Sequence, residues 1–148
     1  MTIRNKQAYV DALWDWGFLD GCFKGTKIRV SDIDGVVERN GHVLFIEAKP
    51  PGKSVSIGQN LMFRELAANG HTVLIIWGET NKPEQAMVWR HHEPTPRKKV
   101  AATEEAIQEV VRKWFVWANL MGPKRQLDKK YKSAWPPTIE LKATVTTP

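Results

Sequence analysis

The chain has 148 residues, 42% of them hydrophobic, enough for a real core in one domain. Its net charge of +6 and pI near 9.6 suit a polyanionic partner, nucleic acid or an anionic membrane surface. The single cysteine, Cys22, excludes an intrachain disulfide framework, MTIRNKQAYV carries no apolar signal-peptide core, and no apolar run approaches the ~20 residues of a membrane span, so a cytoplasmic protein without a membrane partner is expected.

Taken in order, residues 3 to 16 predict a first helix, with Tyr9, Leu13 and Trp16 on one face. Gly17, Gly21 and Gly25 mark its end and the loop beyond, where Phe18, Leu19 and Phe23 are expected to cover the core edge. Lys27 to Glu38, rich in Ile and Val, predicts a strand. Asn40-Gly41 signals a hairpin, because both central residues of a type I′ turn need positive φ. His42 to Lys49 then returns antiparallel and stops at Pro50-Pro51-Gly52, since proline cannot donate to the ladder.

Ser56-Ile57-Gly58-Gln59 fits a capping box opening a second helix, with Met62, Phe63, Leu66 and Ala67 as its stripe and Asn69-Gly70 as its end. HTVLIIW, residues 71 to 77, reads as an interior strand buried on both faces. Strand, helix and buried strand form a crossover unit, so the two strands are expected to be parallel. Residues 78 to 84 read as polar loop and 85 to 90 as a fourth strand. Thr103 caps a third helix whose apolar face is Ile107, Val110, Val111, Trp114 and Phe115 and which Gly122-Pro123 ends. The expected organisation is a core over 1–90, a basic linker over 91–102, a packing helix over 103–122 and a basic, flexible tail over 123–148. The fold class is α/β, a small mixed sheet flanked by helices. Most of the seven Trp are expected in the core.

The chemistry concentrates in SDIDGVVERNGHVLFIEAK, residues 31 to 49. Alternation puts Glu47 and Lys49 on one face of their strand, with Asp32 and Asp34 sharing a face of its neighbour. Two carboxylates make a hard oxygen site for Mg²⁺ or Mn²⁺, and a lysine beside them can hold a phosphate oxygen or orient a water. This set suits phosphodiester hydrolysis. The competing reading is a salt-bridged, solvated hairpin face. It is weakened by the apolar VLFI before Glu47, which sets the charges at the rim of a core.

The sequence EAKPPGKSVSIGQNLMFRELAANGHTVLIIWG resembles the PD-(D/E)xK nuclease superfamily, and within it the VRR-NUC and Holliday-junction-resolvase-like branch. There a Glu-x-Lys is followed by a Pro/Gly-rich turn, a Ser-capped helix carrying Gln, a helix-ending Gly and an apolar strand. The resemblance spans residues 27 to 78. It implies a restriction-endonuclease-like core and a Mg²⁺- or Mn²⁺-dependent endonuclease of the replication, repair or recombination kind. On it, Glu47 is a metal-binding acid, Lys49 the catalytic lysine, the Ala48 carbonyl a further metal ligand and Gln59 a supporting residue. Asp34, before Gly-Val-Val, is the favoured first acid and Asp32 its rival. The proline that names the motif is absent, and the first helix lacks the Glu some members use, with Asp11 or Asp15 as substitutes. The alternative is a catalytically silent nuclease fold that binds nucleic acid or a protein. Lys53, Arg97, Lys98, Lys99, Lys124, Arg125, Lys129 and Lys130 are candidate phosphate contacts, the partner is DNA, and a homodimer is possible through Trp114 and Trp117.

Overall fold

The computed structural model describes residues 4–123. A five-stranded mixed sheet of order β1-β2-β3-β4-β5 is built from β1 (Gly35–Arg39), β2 (His42–Lys49), β3 (Thr72–Glu79), β4 (Lys82–Trp89) and the short β5 (Val100–Ala101). The helices are α1 (Lys6–Asp11), a 3₁₀ helix (Trp16–Cys22), α2 (Ile57–Ala68) and α3 (Glu104–Met121). The α/β class with a small mixed sheet is as expected. β2 and β3 run parallel, joined through α2, and the other neighbours are antiparallel.

Alternation along the strands feeds two apolar layers. Phe63 and Ala67 of α2 pack on Val73, Ile75, Trp77 and Trp89. Trp114 and Ala118 of α3 pack on Leu44, Leu74 and Ala86 across the sheet. The i, i+1, i+4 spacing of Val110, Val111 and Trp114 keeps them on the α3 face that meets this layer. Asn40 and Gly41 have φ of 57° and 80°, the pair a type I′ turn requires. Ser56 accepts from the Gln59 amide and Thr103 from the Ala106 amide, so both long helices start at the expected caps.

Five expectations fail. The first helix covers Lys6–Asp11 rather than 3 to 16, followed by the 3₁₀ helix, and its Tyr9 and Leu13 stripe is exposed. Among the described residues no strand packs against it, so its amphipathic pattern has no layer to fill. Phe18 is likewise exposed instead of covering the core edge. The strand expected over 27 to 38 begins only at Gly35, opposite Ile46. Residues 27 to 34 have β-forming side chains but no ladder partner. Residues 78 to 84 are not a loop. The two strands run to a tight Thr80-Asn81 turn, where Asn81 takes φ of 60°. A Cβ at Gly78 would collide with the Lys82 carbonyl, so glycine is what lets the hairpin close there. Within 91–102, read as linker, β5 pairs with β4, and the Arg97 amide donates to the Val88 carbonyl.

Candidate active site

The candidate site sits where β2 outruns β1. The ladder ends at Gly35↔Ile46, and one step further Asp34 lies opposite Glu47. There the Asp34 carboxylate replaces the missing backbone partner: its Oδ2 accepts from the Ala48 amide at 2.8 Å. In a strand the N–H and C=O of one residue leave on the same side. The Ala48 carbonyl therefore faces the Asp34 side, beyond the end of β1.

Glu47 and Lys49 point to the α2 side, as the alternation requires. The first turn of α2 brings Gln59 over them. Gln59 Nε2 donates to Glu47 Oε1 at 2.8 Å, and Lys49 Nζ donates to Gln59 Oε1 at 2.7 Å. Lys49 Nζ stands 3.7 Å from Glu47 Oε1. The amide thus uses both ends to bridge the acid and the base. The capping box is half made: Ser56 caps the Gln59 amide, while the Gln59 side chain turns to the site instead of reaching back.

Lys49 is only 7% exposed. A buried ammonium is costly unless paired and hydrogen-bonded, and Glu47 with Gln59 supplies both. Burial pushes the Glu47 carboxyl above the usual carboxylate range, and the neighbouring Asp34 carboxylate adds to this. The Gln59 hydrogen bond and the Lys49 ammonium oppose it. Two facing carboxylates of this kind are relieved by a cation. Asp34, Glu47 and the Ala48 carbonyl form an all-oxygen donor set, which fits a hard divalent ion. Among the described residues no group of three or more His, Cys, Asp and Glu side chains is gathered as a metal cluster, so the candidate set is two carboxylates and a carbonyl.

These groups open into a cleft of about 480 Å³, also lined by Asp32, Lys53 and Ser54. Asp32, the rival acid, is engaged elsewhere: its Oδ1 accepts from Trp16 Nε1 at 2.9 Å. Asp11 accepts from Gln7, and Asp15 caps the 3₁₀ helix, so neither joins the carboxylate pair. A larger cavity of about 840 Å³ lies toward α3, lined by Ile76, Ile107 and Val111. It shares Ala48, Lys49 and Pro50 with the smaller cleft but lacks the carboxylate pair.

The basic candidates separate. Lys53 lies on the cleft rim, and its carbonyl accepts from Trp77 Nε1 at 2.6 Å. Lys99 Nζ sits 4.0 Å over the Trp77 ring. Residues far apart in sequence, Lys53 and Lys99, are thereby gathered around one tryptophan. Arg97 is instead held by two hydrogen bonds to Glu93, at 2.9 and 2.6 Å. Lys98 belongs to neither arrangement. Lys124, Arg125, Lys129 and Lys130 lie outside the described residues. Trp114 is buried, and Trp117 stacks on His91 within the same chain, 3.6 Å between centroids. Sequence reasoning missed the Lys99–Trp77 contact and the Trp16–Asp32 bond, for which no local pattern gives a signal.

No helix among the described residues is long and apolar enough to cross a membrane. Compared with protein-family models, curated proteins and solved structures, the chain finds no match in any of the three.

Proposed function

We propose that this chain is a Mg²⁺- or Mn²⁺-dependent endonuclease that hydrolyses phosphodiester bonds in DNA, of the PD-(D/E)xK type, acting in the cytoplasm. The observation that carries the reading is the closure of Asp34, Glu47, Lys49 and Gln59 around one cleft at the end of β2. Asp34, Glu47 and the Ala48 carbonyl would hold the cation, which when bound supplies charge neutralisation at the phosphate and acidifies water.

The chain's own groups do the rest. Lys49 carries three donors on a stem fixed by burial, one of them engaged by Gln59. The others make no further hydrogen bond among the described residues and would serve a phosphate oxygen or the attacking water. Gln59 holds the ammonium beside the acid, so that the base and the carboxylate keep their spacing without a direct short contact. Lys53 and Lys99 supply positive charge for the backbone on the rim of the site.

The test is cleavage of supercoiled, linear, branched and single-stranded DNA with Mg²⁺ or Mn²⁺. Wild type is expected to cut, and Glu47→Ala and Lys49→Met are expected not to, with folding checked by circular dichroism. DNA binding by wild type without cleavage in either metal would replace this reading with that of a silent nuclease fold. Cleavage by Lys49→Met would remove the lysine's assigned role.

A further inference from the structure

We infer that the 3₁₀ region is a stacking platform for unpaired nucleobases at the mouth of the cleft, which makes the substrate a nucleic acid with single-stranded character beside the bond cut. This rests on the nuclease reading of the same cleft.

Trp14, Trp16 and Phe18 form one aromatic cluster. The two indoles stack with centroids 5.7 Å apart and planes 29° apart, and Phe18 lies 6.4 Å from each. Such spacing is ordinary for packed rings, but these are not buried. Trp14 is 70% exposed and Phe18 68%. The outer rings present their faces to solvent while the inner one is fixed: Trp16 Nε1 donates to Asp32, a residue of the cleft wall. The platform is therefore tethered directly to the site.

Two properties select the occupant. Every base has a π-face, and exposed rings bind bases in a sequence-tolerant way, but only bases freed from a duplex stack. The segment joining the platform to Asp32 carries Lys24, Lys27 and Arg29, none of which makes an ion pair among the described residues. Rings with unneutralised cations alongside complement a single strand, whose bases and phosphates are both accessible. A purely apolar partner would leave those charges unused.

The experiment is fluorescence anisotropy of labelled single-stranded and blunt duplex DNA of one sequence, in EDTA, with wild type and Trp14→Ala. Among the described residues Trp14 makes no hydrogen bond whose loss would unfold the chain, and melting temperature checks this. Single-strand binding is expected to weaken about tenfold, the size of one lost base–ring stack, with duplex binding within about twofold. Equal loss on both DNAs, or no loss on the single strand, would overturn the platform. So would sedimentation in which Trp14→Ala dissociates a wild-type dimer while DNA binding stays unchanged, because the rings would then cover a second copy. Mg²⁺-dependent cleavage by wild type is scored separately. Its absence alongside the selective single-strand loss would refute the nuclease reading and leave the platform standing.

Discussion

Along β2 the even-numbered side chains enter the α3 layer and the odd-numbered ones the α2 layer, and the two layers end differently. On the α3 side Leu44 and Ile46 continue into an apolar layer closed by Trp114 and Ala118. On the α2 side Phe45 gives way to Glu47 and Lys49, met by Gln59 rather than by an aliphatic residue. The larger cavity lies toward α3 and lacks the facing Asp34 and Glu47 carboxylates. The candidate site is marked by charges that the fold holds in a half-closed place, each with a designated partner.

The sharpest way to break this contrast is to remove the charged groups. Glu47→Ala or Lys49→Met is expected to lower the cleavage rate by 10³-fold or more in a plasmid-nicking assay. Substitutions lining the larger cavity, such as Ile107→Val, should leave that rate within a few-fold. Asp34→Asn should fall nearly as far as Glu47→Ala, because the carboxylate opposite Glu47 is lost. Asp32→Asn, bound to Trp16, should cost at most about tenfold. Reversed ranks for the two aspartates would reassign the metal-binding acid.

The α3 layer should respond in stability rather than chemistry. Trp114→Ala is expected to cost about 3–5 kcal/mol in urea unfolding, as for other large aromatic truncations in cores. Residual folded protein should still bind DNA.

A smaller effect tests the carboxylate pair. The folded Glu47 carboxyl is raised, so the native state binds this proton more tightly than the unfolded chain. The stability it gives is full below the ordinary value of about 4.5 and is lost as pH rises through the raised folded value. Near neutral pH without divalent metal, Glu47→Gln should therefore melt above wild type, and the gap should close in acid. On the proposed metal site, Mg²⁺ should raise the melting temperature of wild type more than that of Glu47→Gln.

The smallest expected change is in salt dependence. Lys99 precedes β5, and its ammonium sits over Trp77, the β3 residue paired with Lys49. Lys99→Ala should weaken duplex binding modestly at every sequence and reduce the slope of log affinity against log salt by about 0.9. Arg97→Ala, which breaks an internal clamp with Glu93, should leave the slope unchanged.

What the sequence carried was local. β2 runs over His42–Lys49 as alternation predicts, and Asn40-Gly41, Ser56 and Thr103 act where turn and cap chemistry puts them. Glu47 and Lys49 share a side for the same reason. What escaped was set by partners. Residues 27 to 34 look like strand until one asks which backbone would pair with them. The stripe at Tyr9 and Leu13 looks like a core face until no layer is there to receive it. Gln59 satisfied a helix-start pattern, yet its side chain answers a charge ten residues upstream. The choice between Asp32 and Asp34 likewise depended on where β1 stops.

That stopping point turns the hairpin into a measuring device. The two-residue turn at Asn40-Gly41 fixes the count between strands, and five residues of β1 carry that count about 17 Å to Asp34. One residue inserted at the turn would shift the register and move Asp34 to the other side of the sheet from Glu47. Every reactive side chain would still be present in the sequence. The distance between the two acids is thus written in the length of a turn that lies at the far end of the strands from the cleft.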